Sequence, residues 1–223
     1  MWIKLARVIL KYRIAILVIF SLLTVFMAFQ ARKVHLSYEY VTLLPQTDSS
    51  SIEYANFKKN FGEDANIMII GIQDSNFFEL SRFRKFMNLC NSIDSLHGVD
   101  NIFSIAHAVK LEGSRISKFI ETPPSSQAEL DSISQQILNQ KLYDGFLFNK
   151  KTNVYIVALT INKKILDSPA REKLIDDIQE KVSDFSSEHH QKIVYTGLPF
   201  IRTKVSIKVR KELEMFILYA AII

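Results

Sequence analysis

Five histidines and one cysteine are the side chains best suited to chemistry near neutral pH, and their spacing decides what they can do. The histidines are His35, His97, His107, His189 and His190. A helical zinc site needs two histidines four residues apart, and a structural one needs a cysteine cluster; neither pattern occurs in this sequence. His189-His190 follows Glu188 at a polar helix end and reads as a solvated last turn. Cys90 lies among apolar residues, where a thiol behaves as a small hydrophobe, and a single cysteine excludes an internal disulfide. Asp176-Asp177 sits opposite an apolar helical stripe and reads as a solvated face. The glycines of "FG" and "TGLPF" are isolated and form no phosphate loop. We therefore expect no catalytic, cofactor-binding or metal-ligating residue, and a module for binding or mechanical coupling instead of an enzyme.

The elements that carry these residues follow from periodicity. "ANIMIIGIQD" over 65–74 is a short, β-branched apolar run and predicts a central strand, with Ile69 at its middle fully buried. Residues 78–97 switch to helical spacing, with Phe83, Phe86, Met87, Cys90, Ile93 and Leu96 on one face and Gly98 as the stop. "VDNIFSIA" (99–106) predicts a second strand. Between 107 and 125 the pattern weakens, and Pro123-Pro124 marks a loop. Ser126 with Glu129 forms a capping box ahead of the face Leu130, Ile133, Ile137 and Leu138. Residues 145–162 predict a hairpin about "NKKTN". Ser168 and Pro169 open a helix burying Leu174, Ile175, Ile178, Val182 and Phe185, and "KIVYTGLP" supplies the last strand. Upstream, Ser50 with Glu53 caps a short helix whose stripe is Tyr54, Phe57 and Phe61. Two βαβ halves in one domain predict an α+β fold of the ferredoxin-like split type, with one antiparallel sheet and helices on one face.

Charge is segregated along the 223 residues. Residues 1–33 carry +6 with no acid, 34–198 carry −4, and 199–223 carry +3. The pI of about 9.2 thus belongs to the two ends, and the mildly acidic middle argues against nucleic-acid binding. Ile14–Ala31 holds 18 uncharged residues, about 27 Å as a helix, which predicts a membrane span. Lys4, Arg7, Lys11 and Arg13 precede it and Arg32 and Lys33 follow, so the heavier positive flank places the amino terminus in the cytoplasm. A cleaved signal peptide is the rival reading; the length of the run and the bulk of Phe26, Met27 and Phe29 at its end favour a retained membrane helix over it. At the other end "KELEMFILYAAII" loses all charge after Glu214, and reads as the first turns of a second span.

Three stretches in order carry a resemblance: the basic start with its apolar helix; "LLPQTDSSSIEYANFKKNFGED" (43–64); and "IVYTGLPFIRTKVSIKVRKELEMFILYAAII" (193–223). Together they resemble the opening portion of exporters of the resistance-nodulation-division (RND) superfamily, particularly the MMPL-like exporters related to Patched. The resemblance implies five segments. These are a cytoplasmic basic stretch, 1–13; a transmembrane helix, 14–31; an extended linker, 32–50; an extracytoplasmic porter-like domain, 51–198; and a juxtamembrane helix running into a second, partial span, 199–223. It further implies a fragment of a proton-driven exporter of hydrophobic or lipid-like substrates in a bacterial inner membrane. Its main domain would be periplasmic and its proton relay would lie elsewhere. Expected partners are membrane lipids, the hydrophobic substrate, and further copies or other transporter subunits; no cofactor and no nucleic acid is expected. Arg202, Lys204, Lys208, Arg210 and Lys211 would meet anionic headgroups. The alternative is the ligand-binding sensor domain of a membrane receptor or histidine kinase, though its long helix would directly follow the first span, where an extended Pro-containing linker stands instead.

Overall fold

A computed structural model describes residues 10–31, 48–49, 51–53, 56, 66–112, 115–187 and 191–222. The chain divides into two compact units, Met1–Ser37 and Tyr38–Ile223.

The first unit contains helix α1, Arg13–Ala31. Its sequence leaves no polar stripe, and its large apolar side chains, Ile16 excepted, each leave more than half of their surface exposed. Thr24 donates its hydroxyl proton to the Phe20 carbonyl at 2.8 Å, which satisfies that hydroxyl within the helix. Among the described residues no helix is long and apolar enough to cross a membrane. The helix expected over 14–31 is present, and the span is not met by the described residues.

In the second unit the order is β1 (Ile67–Gln73), α2 (Leu80–Asp94), β2 (Val99–Ser104), a 3₁₀ turn (Ile105–His107), β3 (Val109–Glu112), β4 (Arg115–Lys118), α3 (Gln127–Leu138), β5 (Phe148–Asn149), β6 (Val154–Ile161), α4 (Lys163–Leu166), α5 (Ala170–Ser187), β7 (Lys192–Thr196) and α6 (Leu198–Ile222). The fold is α+β. The main sheet runs β2-β6-β1-β7 with every neighbour antiparallel, and the short β5 extends it beside β6. The strands of the two βαβ units therefore alternate: β6 lies between β1 and β2, and β1 between β6 and β7. β3 and β4 form a separate hairpin.

Strand patterns show how the core is filled. Met68, Ile70 and Ile72 of β1 and Tyr155, Val157, Leu159 and Ile161 of β6 are buried on one sheet face. There they meet Phe83, Phe86, Leu89, Cys90 and Ile93 of α2 and Leu174, Ile175, Ile178, Val182 and Phe185 of α5. Ile69 does not belong to this set. It is half-buried on the opposite face beside Ala158, because successive strand residues point to opposite sides and the helices lie on one side only. A continuous apolar run over β1 hides this difference between its two faces. Phe77 organises the aromatic end of the core, stacked on Tyr155 at 3.8 Å and edge-on to Phe83 at 5.8 Å.

Local signals placed most boundaries. Ser126 caps α3 by accepting the Glu129 amide at 3.3 Å, and Glu129 reaches back to accept from the Ser125 amide and hydroxyl at 2.8 and 2.7 Å. Ser168 caps α5 by accepting the Ala170 amide at 3.2 Å. The weak stretch at 107–125 contains the β3–β4 hairpin, tied down where the Tyr143 hydroxyl donates to the Val109 carbonyl at 2.6 Å and accepts the Val109 amide at 3.0 Å. "GFLF" is mostly turn, with only Phe148 and Asn149 paired. Of the short helix expected after Ser50, Ser49 and Ser51–Glu53 are helical. Ser50 and the stripe Tyr54, Phe57 and Phe61 lie outside the described residues, as do His35, His189, His190 and most of the 32–50 linker.

Candidate functional site

Two buried polar clusters and one surface carry the polar chemistry of the domain. In the first cluster, Ser104 lies at the end of β2, fully buried, with its hydroxyl 2.9 Å from His107 Nδ1 and 3.6 Å from Cys90 Sγ. A serine beside a histidine is the start of a nucleophile, but this hydroxyl is fully buried. Burial pushes the Cys90 thiol up to about 12, so it stays a thiol. Burial first, and then the charge of Lys118, lowers the His107 pKa and favours the neutral ring. The cluster ties α2 to the end of β2. His97, the remaining described histidine, is exposed in the turn after α2.

The second cluster centres on Asp74, whose side chain is 5% exposed. It accepts from the Asn76 amide at 2.8 Å, from Arg82 at 3.0 and 3.2 Å, and from the Gln191 side chain. Arg82 turns also to Glu79 at 3.0 Å. One carboxylate thus joins the end of β1, the first turns of α2 and the entry to β7. Nearby Tyr155 is pushed up to about 12 by burial and then by the Asp74 charge, so its phenol stays protonated. Every partner here is structural. Among the described residues no group of three or more His, Cys, Asp or Glu could hold a metal ion.

The surface is that of α6. β7 delivers the chain to Gly197, whose φ of +101° lets it turn directly into the helix. A Cβ there would overlap the Ile67 carbonyl oxygen and come within 3.0 Å of Met68 Cα, so "TGLP" requires glycine for close backbone approach. The first turns dock: Phe200 stacks on Tyr195 at 5.3 Å, and buried Thr203 donates to the Pro199 carbonyl at 2.7 Å. The next turns meet α4 and α5 through polar groups. Arg202 pairs with Asp167 at 3.3 Å, Lys204 with Asp176 at 3.1 Å, and Arg210 with both oxygens of Glu172 at 3.0 and 2.7 Å. Arg171 is 1% exposed; it donates to the Leu166 carbonyl at 3.2 Å and to Ser206 Oγ at 2.7 Å. Beyond Arg210 the helix leaves the domain. Leu213, Met215, Phe216, Ile217, Leu218 and Tyr219 are all exposed, Phe216 by 72%.

One sequence reading holds and one changes here. Asp176 is solvated as expected, its side chain 61% exposed, and it also pairs with Lys204 at the surface. Of the five bases expected at headgroups, Arg202, Lys204 and Arg210 are turned onto α4 and α5, while Lys208 is 78% exposed beside Glu212 at 4.0 Å and Lys211 is also exposed. The missed signal was charge complementarity between two helices: acids at 167, 172 and 176 answer bases at 202, 204 and 210. No family model matches the chain, and no curated protein matches it.

Proposed function

We propose that this chain supplies the first membrane anchor and the first extracytoplasmic domain of an RND-type, MMPL-like exporter of hydrophobic or lipid-like molecules in a bacterial inner membrane. The observation that carries the reading is α6. It runs unbroken from the sheet edge, through a charged docked portion, to an exposed end that is apolar on every side. Water disfavours such a surface, and a lipid environment accommodates it. The alternation β2-β6-β1-β7 supports a ferredoxin-like split βαβ domain of porter type. The 18 uncharged residues Ile14–Ala31 amount to about 27 Å as a helix, which supports the role of α1 as the first span. No acid interrupts that run, so the proton-coupling carboxylates of such a pump belong to other helices. The domain's role is to admit or bind substrate and to pass its motion to the membrane through α6; it performs no covalent chemistry.

The test is topological. A reporter that is active only after export, fused near Ser126, is expected to be active, with residues 1–13 protected in the cytoplasm. Activity of a cytoplasm-only reporter at Ser126 would overturn the reading.

A further inference from the structure

The contact between α5 and α6 changes character along its length. Its base is fixed by backbone and ring contacts: the Ile201 amide bonds the Gly197 carbonyl at 3.1 Å, Phe200 stacks on Tyr195, and Thr203 is fully buried. Past Thr203 the side-chain bonds to α5 come from Lys204, Ser206 and Arg210, with Ile207 half-buried on the same helical face, while Val205 and Val209 face away, 54% and 46% exposed. Of the ion pairs in this part, Lys204–Asp176 is open to solvent, with side chains 38% and 61% exposed, while the bidentate Arg210–Glu172 is half-covered, at 39% and 18%. The first kind holds weakly and yields to salt, and the second, the stronger of the two, is the contact that decides whether this part of α6 stays docked. Among the described residues the deeply buried cation is Arg171, and its bond to the Leu166 carbonyl does not involve α6, so only the bond to Ser206 crosses the contact.

We propose that the α5–α6 contact is a releasable electrostatic clasp: α6 from Ser206 onward swings away from α5 when its ion pairs are screened or broken, about the fixed base at Gly197–Thr203, while the sheet, α2 and α5 remain folded. The clasp itself is a property of the domain. Its role in passing motion toward a membrane rests on the function proposed above.

The experiment uses the full chain in detergent with spin labels at Lys173→Cys on α5 and Lys208→Cys on α6, both exposed positions; buried Cys90 stays unlabelled. At low salt a single narrow distance is expected. At about 1 M salt, where the screening length falls to ~3 Å, a second population should appear, longer by at least about one helical turn, ~5 Å. Glu172→Arg should produce that population at low salt, and Glu172→Arg with Arg210→Glu should restore the narrow distance. One unchanged distance under all conditions overturns the clasp, as does a double variant no narrower than the single. If Glu172→Arg unfolds the domain by circular dichroism, the salt series and Glu172→Gln decide in the same way. Because the distance is read without a bilayer, failure of the clasp and failure of the membrane reading remain separate results.

Discussion

Ile69 and Ile70 are neighbours in one strand with opposite surroundings. Ile70 is 1% exposed beneath the helices, and Ile69 is half-buried on the other face. Ile70→Ala should cost about 2–5 kcal/mol, the transfer energy plus the residual cavity. Ile69→Ala should cost less than half as much, measured by urea unfolding of the second unit; equal losses would mean that both faces are packed alike. His107 gives a pH-dependent counterpart. Its folded pKa lies below the ordinary value, so between the two values the unfolded state binds more protons and stability rises with pH. The full contribution is present above about 6.5 and is lost as pH falls from there through the folded value. Wild type should therefore lose more stability than His107→Gln on going from about pH 7.5 to 5.5. Parallel losses would remove His107 from the account.

At the scale of elements, Gly197 is the joint between β7 and α6. Gly197→Ala must place an L-residue at φ +101° and drive a methyl group into the Ile67 carbonyl. We expect a loss of at least ~1–3 kcal/mol, visible as a lower thermal midpoint. An unchanged midpoint would show that the backbone relaxes freely there. Much of this level was legible in the sequence. The stripes of α2 and α5 and the caps at Ser126 and Ser168 announced themselves because helix spacing and capping chemistry are local. The strand alternation of the two βαβ units followed from element order. The β3–β4 hairpin was not legible, since it is exposed and pinned by one distant tyrosine. Nor were the ion pairs of α6, because pairing 28 to 38 residues apart depends on how two helices pack. The side of β1 that faces the helices was hidden for a different reason: both of its faces are apolar, so no alternation marked the core side.

At the scale of the whole molecule the question is where the apolar end of α6 resides. One alternative is that this end folds back on the domain as a core helix. Its composition opposes that, because a core-facing helix keeps a polar stripe, and Met215–Tyr219 keeps only the Tyr219 hydroxyl. Its exposure opposes it as well, since each of these side chains leaves more than half of its surface open. The docked portion of α6 meanwhile has its own contacts at Phe200, Thr203 and Arg210, so the domain does not require the end for its packing. A comparison of residues 34–214 with residues 34–223 tests this. The shorter piece should be monodisperse in buffer, and the longer one should float with anionic lipid vesicles, where Lys208 and Lys211 add to the apolar contact. Neutral vesicles should capture less of it. Should 34–223 remain monodisperse without lipid or detergent, and lose stability when Met215–Ile223 is removed, the end is core and the membrane reading of α6 fails.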